Sequence, residues 1–388
     1  MTDSLDQFAA GKLADLDARH LRRTLIDTDR GPDGAARRGG RDLLSFCCND
    51  YLNLSQHPDV KRAAIDATAK FGAGAGASRL VTGNHSLFGS LETRLARLKG
   101  TEDACVFGSG YLANLGIIPA LVGEGDLILA DALSHACLLA GGRLSGAQQV
   151  IFRHNDLAHA AEILTARRAG FRHCLIVTDG VFSMDGDLAP VAELARLARR
   201  HDAWLMTDDA HGIGVVGEGR GSSFLDGEKA DVPLQMGTLS KAVGGYGGYL
   251  CASRAVVDLV RSRARTLVYS TGLPPGVVAA ADKAVELIAA RPDLCARPLA
   301  KARRFTRALN LPDAQSPIVP LILGPADVAL GASELLAAQG FLVTAIRPPT
   351  VPDGTARLRF TFCAEHGDAD IDRLIHAVRQ HVLPMRAV

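Results

Sequence analysis

The segment Gly237-Thr238-Leu239-Ser240-Lys241-Ala242-Val243-Gly244-Gly245 decides how this chain is read. A short apolar run, 232–236, leads into it, and small residues and glycines surround a single lysine. Most lysines are solvated surface charges. This one does not sit on a polar helix face. Its setting suits an amine held partly out of water, so that enough of it is neutral to act as a nucleophile. Upstream lies Ala203-Trp204-Leu205-Met206-Thr207-Asp208-Asp209-Ala210-His211-Gly212, where another apolar run ends in a carboxylate and a histidine.

An acid closing one strand and an amine just past the next supply two things that pyridoxal phosphate requires: a partner for its ring nitrogen and an imine-forming amine. Each residue also has a plainer reading. Asp208 serves equally as a helix cap or turn carboxylate, and Asp209 beside it points elsewhere. His211 reads as a core histidine or as a hydrogen-bonding group near the cofactor's phenolate oxygen. His135 follows a strand ending at Ala130, where a flat ring can stack on a flat cofactor. Gly108-Ser109-Gly110-Tyr111-Leu112-Ala113-Asn114 opens a helix after a strand, a setting that favours a phosphate but is also that of an ordinary tight turn. Val181-Phe182-Ser183-Met184-Asp185-Gly186-Asp187 follows a strand as well. Its acids lack the remaining ligands of a calcium loop, so no metal is expected. Phe71-Gly72-Ala73-Gly74-Ala75-Gly76 is a poor dinucleotide loop, because 60–70 reads as helix and no strand precedes it. Arg347 and Arg359 flank Pro348-Pro349-Thr350-Val351-Pro352, and either can clamp a carboxylate bidentately.

The wider pattern fixes the frame. Runs at 104–107, 127–130, 149–152, 174–178, 203–207, 232–236 and 248–252 read as buried strands with helices between several of them. That alternation predicts an α/β fold with a mainly parallel sheet covered on both faces, with ligands at the carboxyl ends of its strands. Residues 5–25 read as an amphipathic helix and 26–40 as a turn or hairpin. The expected domains are a helical arm, 1–40, a large domain, 41–285, and a small α+β domain, 286–388.

With 388 residues, 47% apolar and 22% charged, the chain has a substantial core to bury. Its net charge of +1 argues against a nucleic-acid partner. The eight cysteines include no C-x-x-C pair and most lie in apolar runs, which reads as free thiols in a reducing compartment. No apolar stretch is long enough to span a membrane and the N-terminus lacks a signal-peptide pattern, so a cytoplasmic location is expected.

These motifs together resemble the α-oxoamine synthases, fold-type I pyridoxal-phosphate enzymes. The resemblance runs from Asn49-Asp50-Tyr51-Leu52 through the segments at 207–212 and 238–241 to Ala356-Arg357-Leu358-Arg359. It implies a decarboxylative condensation of L-alanine with a pimeloyl thioester, carried by CoA or acyl carrier protein, as in biotin synthesis. The segment Thr344–Pro352 is the best marker for that member, and a sister synthase using glycine is the alternative. By resemblance, Lys241 forms the imine and moves the α-proton, Asp208 pairs with the ring nitrogen and His135 stacks on the ring. Ser183 and His211 bond around the phenolate oxygen. Gly110, Tyr111 and Thr238 hold the phosphate and adjoining ring, helped by Ser270 and Thr271 of a second subunit in a homodimer with shared sites. Arg22 and Thr350 match substrate-binding positions, and Asn49 and Arg359 orient the amino-acid carboxylate. Cys47-Cys48 and Asn53 depart from the family's usual small polar residues and glycine, at positions with no implied catalytic role.

Overall fold

Seven apolar runs form one sheet: β1 (Asp103–Phe107), β2 (Leu127–Asp131), β3 (Gln148–Phe152), β4 (Cys174–Asp179), β5 (Trp204–Asp208), β6 (Leu234–Thr238) and β7 (Gly248–Ala252). The spatial order is β1-β7-β6-β5-β4-β2-β3. From β3 to β6 neighbouring strands are parallel, and β7 runs antiparallel to both β6 and β1. All seven predicted runs are in this sheet. The structure, a computed structural model, describes residues 3–19, 21–225 and 227–386.

The strands read as continuous apolar runs because both faces are covered, and residues alternate between the faces with period two. Ile128, Leu175, Val177, Met206 and Met236 face one core, closed by α2 (Gly110–Leu121) and α3 (Ala136–Ser145), which follow α1 (Leu87–Lys99) in the chain. Leu127, Leu129, Ile176 and Leu205 face the other, closed by α4 (Leu157–Arg167) and α5 (Val191–Arg200). In α5, Val191, Leu194, Ala195 and Ala198 are buried at helical spacing, as its pattern predicts.

Two compact units result. The large one holds residues 49–300 with 315–317, and the small one holds the chain up to Cys48 with 301–314 and 318–388. These limits fall at 48/49 and 300/301, whereas the sequence pattern predicts divisions at 40/41 and 285/286. The physical link is a strand pair: Arg41–Ser45 runs parallel to Phe341–Leu342 within the small unit. Thr28–Arg30, Ala35–Arg38 and Arg41–Ser45 form the antiparallel part of that sheet, which includes the hairpin read at 26–40. A second, antiparallel sheet joins Ile318–Gly324, Ala356–Thr361 and Thr344–Ile346. The first helix spans Ser4–Ala18 and buries none of its side chains, so it is shorter than the predicted 5–25. Asn53 adopts a left-handed φ of 54°. Glycine and asparagine both tolerate that region, which accounts for the departure at this position. Among the described residues no helix is long and apolar enough to cross a membrane.

Directly past β5, Asp209 meets Lys99, the last residue of α1. Both side chains are fully buried and the Nζ–Oδ2 distance is 2.6 Å. The ammonium also donates to the carbonyl of Arg220 at 2.6 Å, and Asp209 Oδ1 accepts the Ser222 N–H at 2.9 Å. Removing one partner leaves the other charge buried alone. Lys99→Met should therefore lower the unfolding free energy by about 3–5 kcal/mol, read by urea denaturation. A loss below about 1 kcal/mol would place this pair with weak surface bridges.

Candidate active site

Three parallel neighbours, β2, β4 and β5, each end in a buried aspartate: Asp131, Asp179 and Asp208. Asp208 Oδ1 accepts the Ala210 N–H at 2.9 Å, and Oδ2 accepts Asn114 Nδ2 of α2 at 2.8 Å. Successive residues of an extended chain point to opposite faces. Asp208 thus turns to the α2 side while Asp209 is spent on Lys99, the divergence that the sequence reading expects of the two adjacent acids. Asp179 accepts the backbone N–H of His135 at 2.8 Å. Burial and then the neighbouring Asp208 hold the Asp179 carboxyl well above the usual carboxylate range. His135 caps α3, with its ring exposed and Nδ1 2.8 Å from Cys137 Sγ. Burial of its nitrogens lowers its pKa against the pull of Asp208.

Lys241 lies in the turn after β6, partly buried, with Nζ 2.8 Å from His211 Nε2. The other ring nitrogen of His211 is 2.7 Å from the Tyr51 hydroxyl, which reaches Asn49 Oδ1 at 3.3 Å. A continuous chain therefore runs Asn49–Tyr51–His211–Lys241. Asp50 holds its first members in place by accepting the N–H groups of Leu54 and Ser55 at 3.0 and 3.2 Å.

The start of α2 lies beside the end of β6. Ser109 caps the helix through Leu112 N at 3.1 Å, and the first-turn N–H groups of Gly110 and Tyr111 have no partner within the helix. A Cβ on Gly110 would meet the Thr238 side chain at 3.3 Å, and one on Gly248 would meet the Ser109 carbonyl at 2.5 Å, so glycine is what allows this close approach. The Thr238 hydroxyl donates to the Gly247 carbonyl at 2.7 Å and accepts the Ser240 N–H at 3.2 Å, bracing the lysine turn.

Ser183 lies half-buried in the loop after β4. That loop is clamped by His154, a residue the sequence reading passed over. Its ring bridges Asp131 at 2.9 Å and Asp187 at 2.7 Å, with Phe182 packed edge-on at 4.4 Å. Asn155 completes the clamp, donating its backbone N–H to Asp131 and its amide to Asp187. Tyr51, Asn114 and His154 are the site-forming residues that carry no predicted role. Tyr51 and Asn114 lie inside sequence motifs named above, His154 does not, and all three act through contacts distant in sequence.

The remaining candidates divide between the two units. Arg22 and Thr350 line one cavity of the small unit, about 900 Å³ in volume. Within it Arg22 pairs with Asp17 at 2.8 Å, and Arg23, which was not singled out, donates to Thr350 at 3.0 Å. Arg359 is buried on the central strand of the small unit's three-stranded sheet. Thr271 bridges to Ser78 in the large unit, with Ser270 half-buried beside it. No cluster of metal-ligating side chains occurs among the described residues, and all eight cysteines are free thiols.

The donor set fits pyridoxal phosphate. An amine and a buried carboxylate sit at neighbouring strand ends, a flat ring is exposed beside them, and a helix start with glycine presents backbone N–H groups suited to a phosphate.

Comparison with known proteins agrees with this geometry. The family model described as aminotransferase class I and II matches residues 41–378. The chain is 66% identical over 345 residues to the 8-amino-7-oxononanoate synthase of Methylocella silvestris, covering 89% of this chain and 98% of that protein. It is 59% identical over 385 residues to the protein of the same name from Beijerinckia indica subsp. indica, covering 99% and 100%. The solved serine palmitoyltransferase from S. paucimobilis, with a bound PLP–myriocin aldimine, has a TM-score of 0.92 at 30% identity and covers 99% of each chain.

The His154 clamp has a pH signature. Burial by itself would lower the pKa of this imidazole, but hydrogen bonds to Asp131 and Asp187 outweigh it and hold the pKa at about 10. A folded pKa above the unfolded value of about 6.5 stabilises fully below that value and is lost as pH rises through the folded one. His154→Gln should therefore cost most stability near pH 6 and least above pH 10, read by urea unfolding at several pH values. A pH-independent difference would show that the ring is not held charged.

Proposed function

The chain belongs to the class I and II aminotransferase family, and on that premise we propose that it condenses L-alanine with pimeloyl-CoA, or the acyl-carrier-protein thioester, to 8-amino-7-oxononanoate, releasing the thiol and carbon dioxide in biotin synthesis. The observation that carries this reading is the Lys241 amine, 2.8 Å from His211, set beside the strand end that bears Asp208. The identities of 66% and 59% to proteins named for this product give the substrate class.

Pyridoxal phosphate, when bound, supplies an electron sink that stabilises negative charge on the α-carbon of alanine. The residues then divide the remaining work. Lys241 Nζ takes and returns the α-proton, and His211, steered by Tyr51, keeps that amine aimed. Asp208, fixed by Asn114 and Ala210, holds a proton on the ring nitrogen. His135 covers one ring face, and Ser183 and His211 bond near the phenolate oxygen. The first turn of α2 at Gly110 and Tyr111 takes the phosphate, Thr238 braces the adjoining turn, and Ser270 and Thr271 of a second copy complete the phosphate site in a homodimer. Asn49 and Arg359 orient the amino-acid carboxylate, which must stay in place until the new carbon–carbon bond has formed. Arg22 and Thr350 receive the acyl substrate. A cytoplasmic site of action fits this reading.

Holoenzyme given L-alanine and pimeloyl-CoA should release CoA and yield 8-amino-7-oxononanoate by mass. Release with glycine and none with alanine would instead assign a sister synthase. Lys241→Ala should lower turnover by about a hundred- to ten-thousand-fold, the range for losing a positioned acid–base group. Full turnover in that variant would remove Lys241 from the reaction.

A further inference from the structure

We propose that Asn114 and Cys137 form a one-way hydrogen-bond relay from Asp208 to His135, which fixes the carboxylate as acceptor and His135 as the tautomer protonated on Nε2. This deepens the reading given above and rests on it, since it concerns the groups assigned to the two sides of the cofactor ring. Asn114 and Cys137 act through Asp208 and His135 and are positioning residues.

The direction of each bond follows from counting hydrogens. An amide nitrogen has two to give. Asn114, fully buried in α2, gives one to Asp208 Oδ2 at 2.8 Å and the other to Cys137 Sγ at 3.1 Å. Its own Oδ1 is buried with no hydrogen-bond partner. Native interiors rarely tolerate that. Flipping the amide would be worse, because it would set Oδ1 against the Asp208 carboxylate and strip the donor from both neighbours. Asp208 Oδ1 meanwhile faces the Ala210 N–H at 2.9 Å, so both carboxylate oxygens meet donors.

The sulfur carries the relay onward. Cys137 is buried, and burial followed by the nearby Asp208 pushes its thiol up to about 12, so it keeps its hydrogen at neutral pH. The sulfur already receives a hydrogen from Asn114, which leaves its own for His135 Nδ1 at 2.8 Å. The same Nδ1 faces the backbone N–H of Cys137 at 3.3 Å, a group that can only donate. Two donors aimed at one ring nitrogen require a lone pair there, and the ring proton must sit on Nε2. The backbone of His135 is anchored separately, through its N–H to Asp179 at 2.8 Å. The ring that would cover the cofactor is therefore neutral, fixed in orientation, and linked through two side chains to the acid that would hold the pyridine nitrogen.

The test uses holoenzyme labelled with ¹⁵N-histidine, read by long-range proton–nitrogen correlation, with His135 assigned by the signal lost in His135→Asn. The relay predicts an unprotonated Nδ1 and a protonated Nε2. Cys137→Ala should mix the tautomers and lower kcat about tenfold, as loss of orientation does, with KM for alanine nearly unchanged. Cys137→Ser, which restores a donor, should recover both the tautomer and most of kcat. A proton on Nδ1 in the unaltered enzyme overturns the proposal, as does a Cys137→Ala enzyme with unchanged tautomer and kcat. If Cys137→Ala fails to fold, the unaltered enzyme and Cys137→Ser still decide it. Absence of 8-amino-7-oxononanoate from the unaltered enzyme would defeat the functional reading and leave the tautomer result standing.

Discussion

Three carboxylates buried side by side at the ends of parallel strands are the constraint that organises this protein. Asp131, Asp179 and Asp208 occupy neighbouring strands of one sheet, each almost fully out of water. Buried like charges raise one another's pKa and demand donors. Each is met differently. Asp131 takes the backbone N–H groups of Leu133 and Asn155 and the ring of His154. Asp179 takes the backbone of His135 and is pushed toward its neutral form. Asp208 takes Asn114 and Ala210. The loops that carry the candidate chemistry are thus the loops that satisfy these acids. His135 and the Ser183 loop hold their positions because the strand ends require their donors.

The lysine side is built by a different economy. The Lys241 amine meets an imidazole, and that imidazole meets a phenol. Lys99, in the same unit, is fully buried and locked on Asp209. Lys99 is fully buried and Lys241 only partly, and partial burial leaves the second amine within reach of a ligand.

Much of the frame was legible in the sequence because the sheet is covered on both faces. Each strand is then a continuous apolar run, and all seven runs were read within two residues of their ends. The placement of Lys241 and Asp208 at strand ends followed directly. What escaped detection depended on pairing across the chain. The strand Arg41–Ser45 has too mixed a pattern to announce itself, and its partner Phe341–Leu342 is two residues long. The N-terminal helix stops at Ala18 although apolar residues continue at helical spacing to Leu21, since none of its side chains is buried and packing does not extend it. Asn114 read only as the end of a glycine-rich turn, because nothing local distinguishes an asparagine that reaches a strand ninety-four positions away.

The same limit separates the residues by the kind of evidence each required. Asp208 and Asp209 are identical in type and adjacent, so composition cannot rank them and spacing barely can. The alternation of an extended chain does, by sending one to α2 and the other to the end of α1. Asp209 is consumed by Lys99, Ser222 and the turn that follows β5, and this fixes the backbone from which both Asp208 and His211 project. Ile213 and Gly212 close that turn by donating their N–H groups to the Asp209 carbonyl. A structural ion pair on one face thereby sets the aim of a candidate catalytic acid on the other. The Asp-Asp pair is best understood as a single device, in which the second residue anchors what the first presents.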